Sequence, residues 1–266
     1  MRHILFPIDF SARCDAMAPV VAAWARAFHA DLTLLHVMET ARLASSFAAL
    51  EDHFGTVREE LQGHLERFQV AAFAGISVDR VFKLGHAVDE ITRYAEIVEA
   101  DLIAMPTHGR SRFRALLLGS VTAGVLHDSP AAILTSAHSQ EAPLSAIPRS
   151  VVCAIDLSAY SAEVLRMASH VAETCSAALH IVHVLPDIAA AKAQATYEDL
   201  AFAAEIDSPL QTLQPGPLTE TVIDAATRHN ADLLVIGRGK LTGVLGRLRT
   251  HAHDLIRRSP CPVLSV

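Results

Sequence analysis

Short apolar runs alternate along this chain with longer segments of helical period. Ile4 to Ile8 is an unbroken apolar run that stops at Asp9. Ser11 then stands where a helix cap belongs, and Ala16, Val20, Ala23, Trp24, Ala27 and Phe28 recur on one face of a helix predicted to reach His29. Leu32 to Val37 predicts a second buried strand, about Ser45 to Ala72 a long helix, and Ser77 to Leu84 an alternating strand. A helix over His86–Glu99, a strand over Leu102–Met105, a helix over Ser120–His127 and a strand over Ala131–Thr135 complete the series. Apolar strands separated by helices predict a parallel α/β sheet covered on both faces. In such open sheets, ligands bind outside the carboxyl ends of the strands, where the strand order reverses. Asp9, Val37 and the Met105–Gly109 turn all stand at strand ends. They converge on one crevice if the first, second and fourth strands are neighbours.

The same series occurs twice. HILFPIDFSA (3–12) matches SVVCAIDLSA (150–159), which sets Asp156 on Asp9 and Ser158 on Ser11. ADLTLLHV (30–37) matches AALHIVHV (177–184), ADLIAM (100–105) matches ADLLVI (231–236), and DSPAAIL (128–134) matches RSPCPVL (258–264). Four matches in one order predict two tandem homologous domains, residues 1–136 and 149–266. The linker, 137–148, is polar and carries two prolines. The second copy is shorter between His183 and Gly216, so its second helix, near Ile188–Ala204, is predicted to be truncated.

Composition sharpens the picture without changing it. Hydrophobic residues make up 51% of the 266 residues and aromatics only 5%, which suits helices on a parallel sheet better than a sandwich. The formal net charge of −7 argues against nonspecific nucleic-acid binding. Local clusters, Arg110, Arg112 and Arg114, then Arg247, Arg249, Arg257 and Arg258, fit small anions better than a duplex. The four cysteines form no CxxC pair, which points to a reducing compartment. Asp9 comes too early for a signal-peptide core, and Ala115–Leu126 is too short to span a bilayer. The expectation is a cytoplasmic protein with no membrane or nucleic-acid partner.

The stretch from Met105 to Val121, MPTHGRSRFRALLLGSV, concentrates the chemistry. Gly109, Gly119 and the Ser120 hydroxyl follow a buried strand and open a helix, an arrangement that favours phosphate. Isolated glycines more often serve turns. Asp9 can accept from a ribose hydroxyl or a base amino group, or simply cap the helix behind it. Neither a Walker segment, a GxGxxG after the first strand, a GxSxG elbow nor an HExxH is present. His36 and His183 lie inside apolar strands, and His251 and His253 are two apart, so no metal site and no catalytic residue is assigned.

With these residues laid out, the whole chain resembles a tandem-domain universal stress protein. The resemblance rests on PIDFS (7–11), LLHV (34–37), PTHG-x9-GS (106–120) and SPCPVLSV (259–266). It implies two Rossmann-like domains, each a five-stranded parallel sheet flanked by helices, paired through their final strands. It also implies ATP or another adenine nucleotide, with or without Mg2+, in the first domain. Pro7, Asp9 and Val37 would meet the base and ribose, and Met105, Gly109, Gly119, Ser120 and Val121 the sugar–phosphate path. Pro106 replaces the first motif glycine and offers no N–H. The counterparts in the second domain are Asp156, Val184, Gly237, Gly239 and Thr250.

That second loop has lost its third glycine and aligns in two ways. Anchored on Ser259-Pro260, Thr250 falls on Ser120. Anchored on the preceding strand, Lys240 falls on Gly109 and Thr250 on Gly119. The implied function is a stress-response protein that works by binding nucleotide, with a further homodimer open to it. A slow ATPase or phosphotransferase, and an interaction module that has lost nucleotide binding, are the alternatives.

Overall fold

The computed structural model describes residues 1–39, 51–108, 118–137, 146–184, 190–213, 216–238 and 247–266. Among them the first copy forms β1 (His3–Pro7), α1 (Ala12–Phe28), β2 (Asp31–Glu39), α2 (Glu51–Arg67), β3 (Val78–Gly85), α3 (Ala87–Ile97), β4 (Leu102–Met105), α4 (Ser120–Asp128) and β5 (Ala132–Thr135). The second forms β6 (Ser150–Ala154), α5 (Ser161–Cys175), β7 (Ala178–Val184), α6 (Ala190–Ala203), β8 (Leu210–Leu213), α7 (Leu218–Arg228), β9 (Leu233–Ile236), α8 (Arg247–Arg258) and β10 (Val263–Ser265). The predicted alternation is therefore present in both copies. The long helix expected over Ser45–Ala72 ends earlier, at Arg67. Gln69 takes a left-handed φ of 49° just beyond it. The Arg26 guanidinium donates to the carbonyls of Ala72 and Ala74 at 2.7 and 3.0 Å and fixes the turn that follows. The start of that predicted helix, most of the linker and Ile188 lie outside the described residues.

The chain divides into two compact units, the first from Met1 to Ala131 apart from Leu116–Leu118, the second from Ala132 to Val266. In the first unit the strand order is β3-β2-β1-β4, and every pairing is parallel. In the second it is β5-β10-β9-β6-β7-β8, parallel throughout except between β5 and β10. The fold is thus the mostly parallel α/β arrangement predicted, and the two final strands pair as the resemblance implied. β5, the last strand of the first copy, pairs antiparallel with β10, the last of the second, in register Thr135↔Val263 and Ile133↔Ser265. That pairing satisfies an edge of β10 that would otherwise present bare N–H and C=O groups.

Each unit buries its sheet on both faces. Ile4, Leu5 and Phe6 in β1 are fully buried, and so are Val151, Val152 and Cys153 in β6. Each large apolar side chain so buried contributes roughly 1.5–3 kcal/mol of transfer free energy. From α1, Met17, Val21, Trp24 and Phe28 pack inward. Of the face expected from the sequence Val20, Trp24 and Phe28 are buried, but Ala16 is exposed and Ala23 and Ala27 are half-buried, so the buried stripe is rotated toward Met17 and Val21. Phe68 sets its ring edge against Phe6 at 6.3 Å.

The two copies repeat small backbone devices as well as elements. Left-handed φ values occur at Phe10 and Leu157 (58° and 60°), His29 and Ser176 (50° and 54°), and Glu99 and Asn230 (49° and 45°). These are matched positions of the repeat. His29 and Ser176 close α1 and α5 with left-handed caps. Asp101 Oδ2 accepts from the N–H groups of Arg2 and His3, and Asp232 Oδ2 from those of Arg149 and Ser150. Partial burial alone would raise the Asp101 carboxyl, but those N–H groups and the nearby positive charges outweigh it and hold it below its usual 3.8.

Candidate functional site

β1 lies between β2 and β4, so the strand order reverses beside it. This is the switch point at which open α/β sheets bind ligands, and the expected convergence of three strand ends is realised. Pro7 ends β1, opposite Leu35 of β2. Val37 stands near the carboxyl end of β2, half-buried. Met105 ends β4 and is buried.

Asp9 follows β1 and braces the turn that leads into α1, while the cap itself is Ser11. Its Oδ1 accepts from Ser11 N–H at 3.0 Å and from the Cys14 thiol at 3.1 Å. Ser11 is the N-cap of α1 and accepts from Cys14 N–H at 3.4 Å. Burial, then the Asp9 charge, pushes the Cys14 thiol up to about 12, so it is no thiolate nucleophile beside the carboxylate.

The first turn of α4 is tied to the end of β4. Gly119 is the N-cap, and its N–H donates to Thr107 O at 2.8 Å. The Thr122 hydroxyl donates to Pro106 O at 3.0 Å. A Cβ at Gly119 would stand 3.2 Å from Thr107 O, so the close approach explains the glycine. The sequence reading left the Gly119 N–H bare for phosphate; in the structure it is engaged. The helix still presents the N–H groups of its first turn, around Ser120 and Val121, which lack intrahelical partners as in any helix. Ser120 is exposed and Val121 half-buried. Gly109 and the arginines at 110, 112 and 114 lie outside the described residues.

In the second unit β6 pairs with both β7 and β9, which sets the same switch point. Asp156 Oδ1 accepts from Ser158 N–H at 2.9 Å and from the Ser161 hydroxyl at 3.0 Å. A cavity of about 180 Å³ opens here, and Asp156, Val184 and Gly237 are among its walls. The structure therefore brings together three of the five residues expected in this half. Gly239 lies outside the described residues, and of Thr250 only the helix position is described. α8 begins at Arg247, so Thr250 lies within its first turn instead of preceding it.

Both alignments of the second loop hold locally. Met105 and Ile236 each end their strands, which sets Gly237 on Pro106. Ser129-Pro130 and Ser259-Pro260 each follow their helices, which sets His251 on Val121. The second copy is one residue shorter between these two anchors. The first motif glycine that Pro106 displaces in the first copy is thus present in the second. A Cβ at Gly237 would come 3.0 Å from Val164 Cγ2.

Sequence reasoning passed over several cavity residues, His183, His251, Leu218 and Val222 among them. Two are histidines, His183 in β7 and His251 in α8. The repeated His-Val ending of β2 and β7 was the available signal. His36 Nδ1 bonds to Ile8 O at 2.7 Å and His183 Nδ1 to Ile155 O at 2.9 Å. Each imidazole thus ties its strand end to the turn that carries the aspartate. In the first unit the rings of Phe10 and Phe82 lie 4.5 and 5.7 Å from that of His36.

Two tandem doubly wound α/β copies, each with an aspartate after its first strand that accepts from the N–H two residues on, define a Rossmann-like class of fold. The profile of the universal stress protein family matches residues 1–135 and again 148–266. The chain belongs to that family. A universal stress protein of Synechocystis is 32% identical over 132 residues, 50% of this chain and 41% of that protein. The match thus spans less than half of that relative's length. One from Methanocaldococcus jannaschii is 27% identical over 150 residues, 50% of this chain and 93% of its own. The crystal structure of a universal stress protein from Archaeoglobus fulgidus superposes with a TM-score of 0.77 at 24% identity, covering 99% of this chain and 95% of that one. At that identity the likeness speaks for the fold.

Proposed function

We propose that the first unit binds ATP or a related adenine nucleotide and that the protein acts by binding, not by turnover. The observation that carries this reading is the adjacency of the carboxyl ends of β1, β2 and β4, with the N-terminus of α4 tied to the end of β4 through the Gly119 N–H. Pro7, Asp9 and Val37 are assigned to the base and ribose, and Met105, Gly109, Gly119, Ser120 and Val121 to the sugar–phosphate path. A phosphate gains from the partial positive charge of the helix end. Mg2+ would accompany the phosphates, held by them and by water. No general base stands in the assigned set, so nucleotide would be retained and read out as a change in conformation or partner preference. Action in the cytoplasm under stress, and pairing of two chains, belong to the same proposal. Among the described residues no helix is long and apolar enough to cross a membrane.

The experiment is a titration of the full chain with ATP, ADP and AMP in the presence of Mg2+, following heat and released phosphate together. Saturable binding with no phosphate release is expected. Stoichiometric binding followed by multiple turnovers would replace the reading with an ATPase, and no binding of any nucleotide would end it.

One observation favours a second reading, an interaction module that no longer takes nucleotide: Pro106 lacks an N–H and Gly119 N–H is committed to Thr107 O. The variant Pro106→Gly separates the two. It creates ATP binding where the native chain has none if the loop is disabled, and changes an existing affinity only modestly if it is not.

A further inference from the structure

The outer strand of the first unit has an open edge. β3 ends the strand order there and, among the described residues, pairs with β2 alone. Leu32 N–H donates to Ser77 O, so the backbone groups of Ser77, Asp79, Val81 and Lys83 face β2. Those of Val78, Arg80, Phe82 and Leu84 then face away, and among the described residues no backbone group meets them. β3 is eight residues long, none of them buried, and its register with β2 runs without a bulge or a proline. The outer strand of the second unit, β8, has only four residues. Shortness, bulges and proline are the means by which sheets shield an edge, and β3 uses none of them.

What β3 does carry is charge of both signs, and its order narrows the partner. Asp79, Val81 and Lys83 share one face of the strand, where Lys83 Nζ stands 5.5 Å from the Tyr94 ring of α3. Arg80, Phe82 and Leu84 share the other, where Arg80 Nε donates to Leu65 O at 3.1 Å and the Phe82 ring meets that of His36. Among the described residues neither Asp79 nor Lys83 has an ion-pair partner. An open edge of this kind accepts a strand from another chain. If that chain is a second copy, related by a two-fold axis, the outward-facing residues must meet each other, and the fuller overlaps put the axis at Arg80, Val81 or Phe82. At Arg80 the arginine opposes itself, and like charges directly opposite destabilise. At Phe82 the ammonium of Lys83 opposes Val81. At Val81, Asp79 of each copy opposes Lys83 of the other, Val78 opposes Leu84, and Arg80 opposes Phe82. The Asp79–Lys83 places are then the non-hydrogen-bonded ones, where facing side chains come closest.

We infer that two copies of this chain pair antiparallel along Val78–Leu84, about a two-fold axis at Val81, with Asp79 of one copy set against Lys83 of the other. The surface is self-complementary, so each contact away from the axis occurs twice. Backbone hydrogen bonds supply the attraction, and the charges select this register over its neighbours. This gives the proposed pairing of two chains a surface, and it rests on nothing in the nucleotide assignment.

The test is sedimentation velocity on the full chain over a dilution series, without nucleotide. The native chain is expected to form a dimer that dissociates on dilution. Asp79→Lys alone and Lys83→Asp alone each set like charges opposite at two places, and each is expected to raise the dimer Kd by about tenfold or more. An equimolar mixture of the two variants makes both places complementary again and is expected to regain the native affinity as a heterodimer, which also shows that both variants fold. In the native chain, hydrogen exchange at the N–H groups of Val78, Arg80, Phe82 and Leu84 is expected to slow as concentration rises, while that of Asp79, Val81 and Lys83 stays constant. A monomer at every concentration overturns the proposal and leaves the edge to an extended segment of another protein. A dimer that neither single variant weakens overturns it and puts the pairing on another surface. A mixture no tighter than its components overturns the register. Gly119→Arg is expected to leave the dimer unchanged while it weakens ATP binding, so failure of the nucleotide reading and failure of this one are told apart.

Discussion

The two units share a scaffold and differ in what that scaffold encloses. In both, the aspartate after the first strand accepts from the N–H two residues on, and a histidine of the second strand holds a backbone carbonyl. In both, a later aspartate clamps two N–H groups at the first strand. These are side-chain contacts to backbone, and they survive because they maintain the chain path. The lining positions are not held to that standard. Where the first unit has Pro106 and Val121, the second has Gly237 and His251. Where α4 starts at Gly119-Ser120, α8 starts at Arg247. A repeated fold can therefore carry two different sites, because the backbone devices that build the crevice are not the side chains that fill it.

The largest expected difference between the units lies in the core. Trp24 is 2% exposed and stacks near Phe28 at 5.6 Å, whereas its counterpart is the fully buried Val171. Trp24→Ala is expected to cost about 3–5 kcal/mol, and Val171→Ala about 2 kcal/mol from two lost methyl groups and the void they leave. Urea unfolding followed by circular dichroism measures both, and equal losses would mean that the first unit closes around its void.

Next comes the ligand loop. Gly119→Arg is expected to weaken ATP binding at least tenfold, about 1.4 kcal/mol or more, because its Cβ starts 3.2 Å from Thr107 O. Unchanged affinity in the titration would remove that loop from the site. Helix capping offers a finer contrast. Ser11 caps α1, while α5 begins at Ser161 with Tyr160 as a cap residue that makes no side-chain bond. Ser11→Ala is expected to cost about 0.5–1 kcal/mol, given its long 3.4 Å bond, and Ser158→Ala to stay within roughly 0.5 kcal/mol. Thermal melts of the two variants side by side decide it.

The smallest effect is a pH dependence specific to the second unit. His229 stacks on His180 at 4.0 Å, with Nε2 bonded to Gln211 Oε1 at 3.0 Å. Burial, then the charges of His180 and Arg228, holds its pKa below the ordinary 6.5. The folded state therefore binds fewer protons than the unfolded one just below pH 6.5. This contribution is complete above that pH and is lost as pH falls toward the folded value. The first unit has Thr33 and Val98 at these places. Hydrogen exchange at pH 7.5 and 5.5 is expected to show β7 and the end of α7 opening more readily at the lower pH, with His229→Asn flattening the change. An equal response in the first unit would show that the stacked pair is not its source.

Much of this was legible in the chain. β4 was predicted over the residues it occupies, and α1, α3 and α4 to within a residue or two at most ends, because apolar runs and helical spacing report burial directly. Asp9, Ser11 and their copies were found because a cap is a local arrangement. The end of α2 was missed because its stop is the left-handed turn at Gln69, braced from a distance by Arg26. The place of His183 was missed for a related reason: a histidine in an apolar strand looks the same whether or not its second nitrogen finds a partner.

The sequence by itself determined the repeat, the α/β class, the family and the places where ligands can approach, since all of these follow from periodicity and local backbone chemistry. Only the tertiary structure decided which of those places encloses space. It put Gly237 beside Val164, gave the Gly119 N–H to Thr107, and buried His183 Nε2 with no hydrogen-bond partner among the described residues. Each of these outcomes depends on what packs against a residue from elsewhere in the chain, and no run of neighbouring residues specifies that.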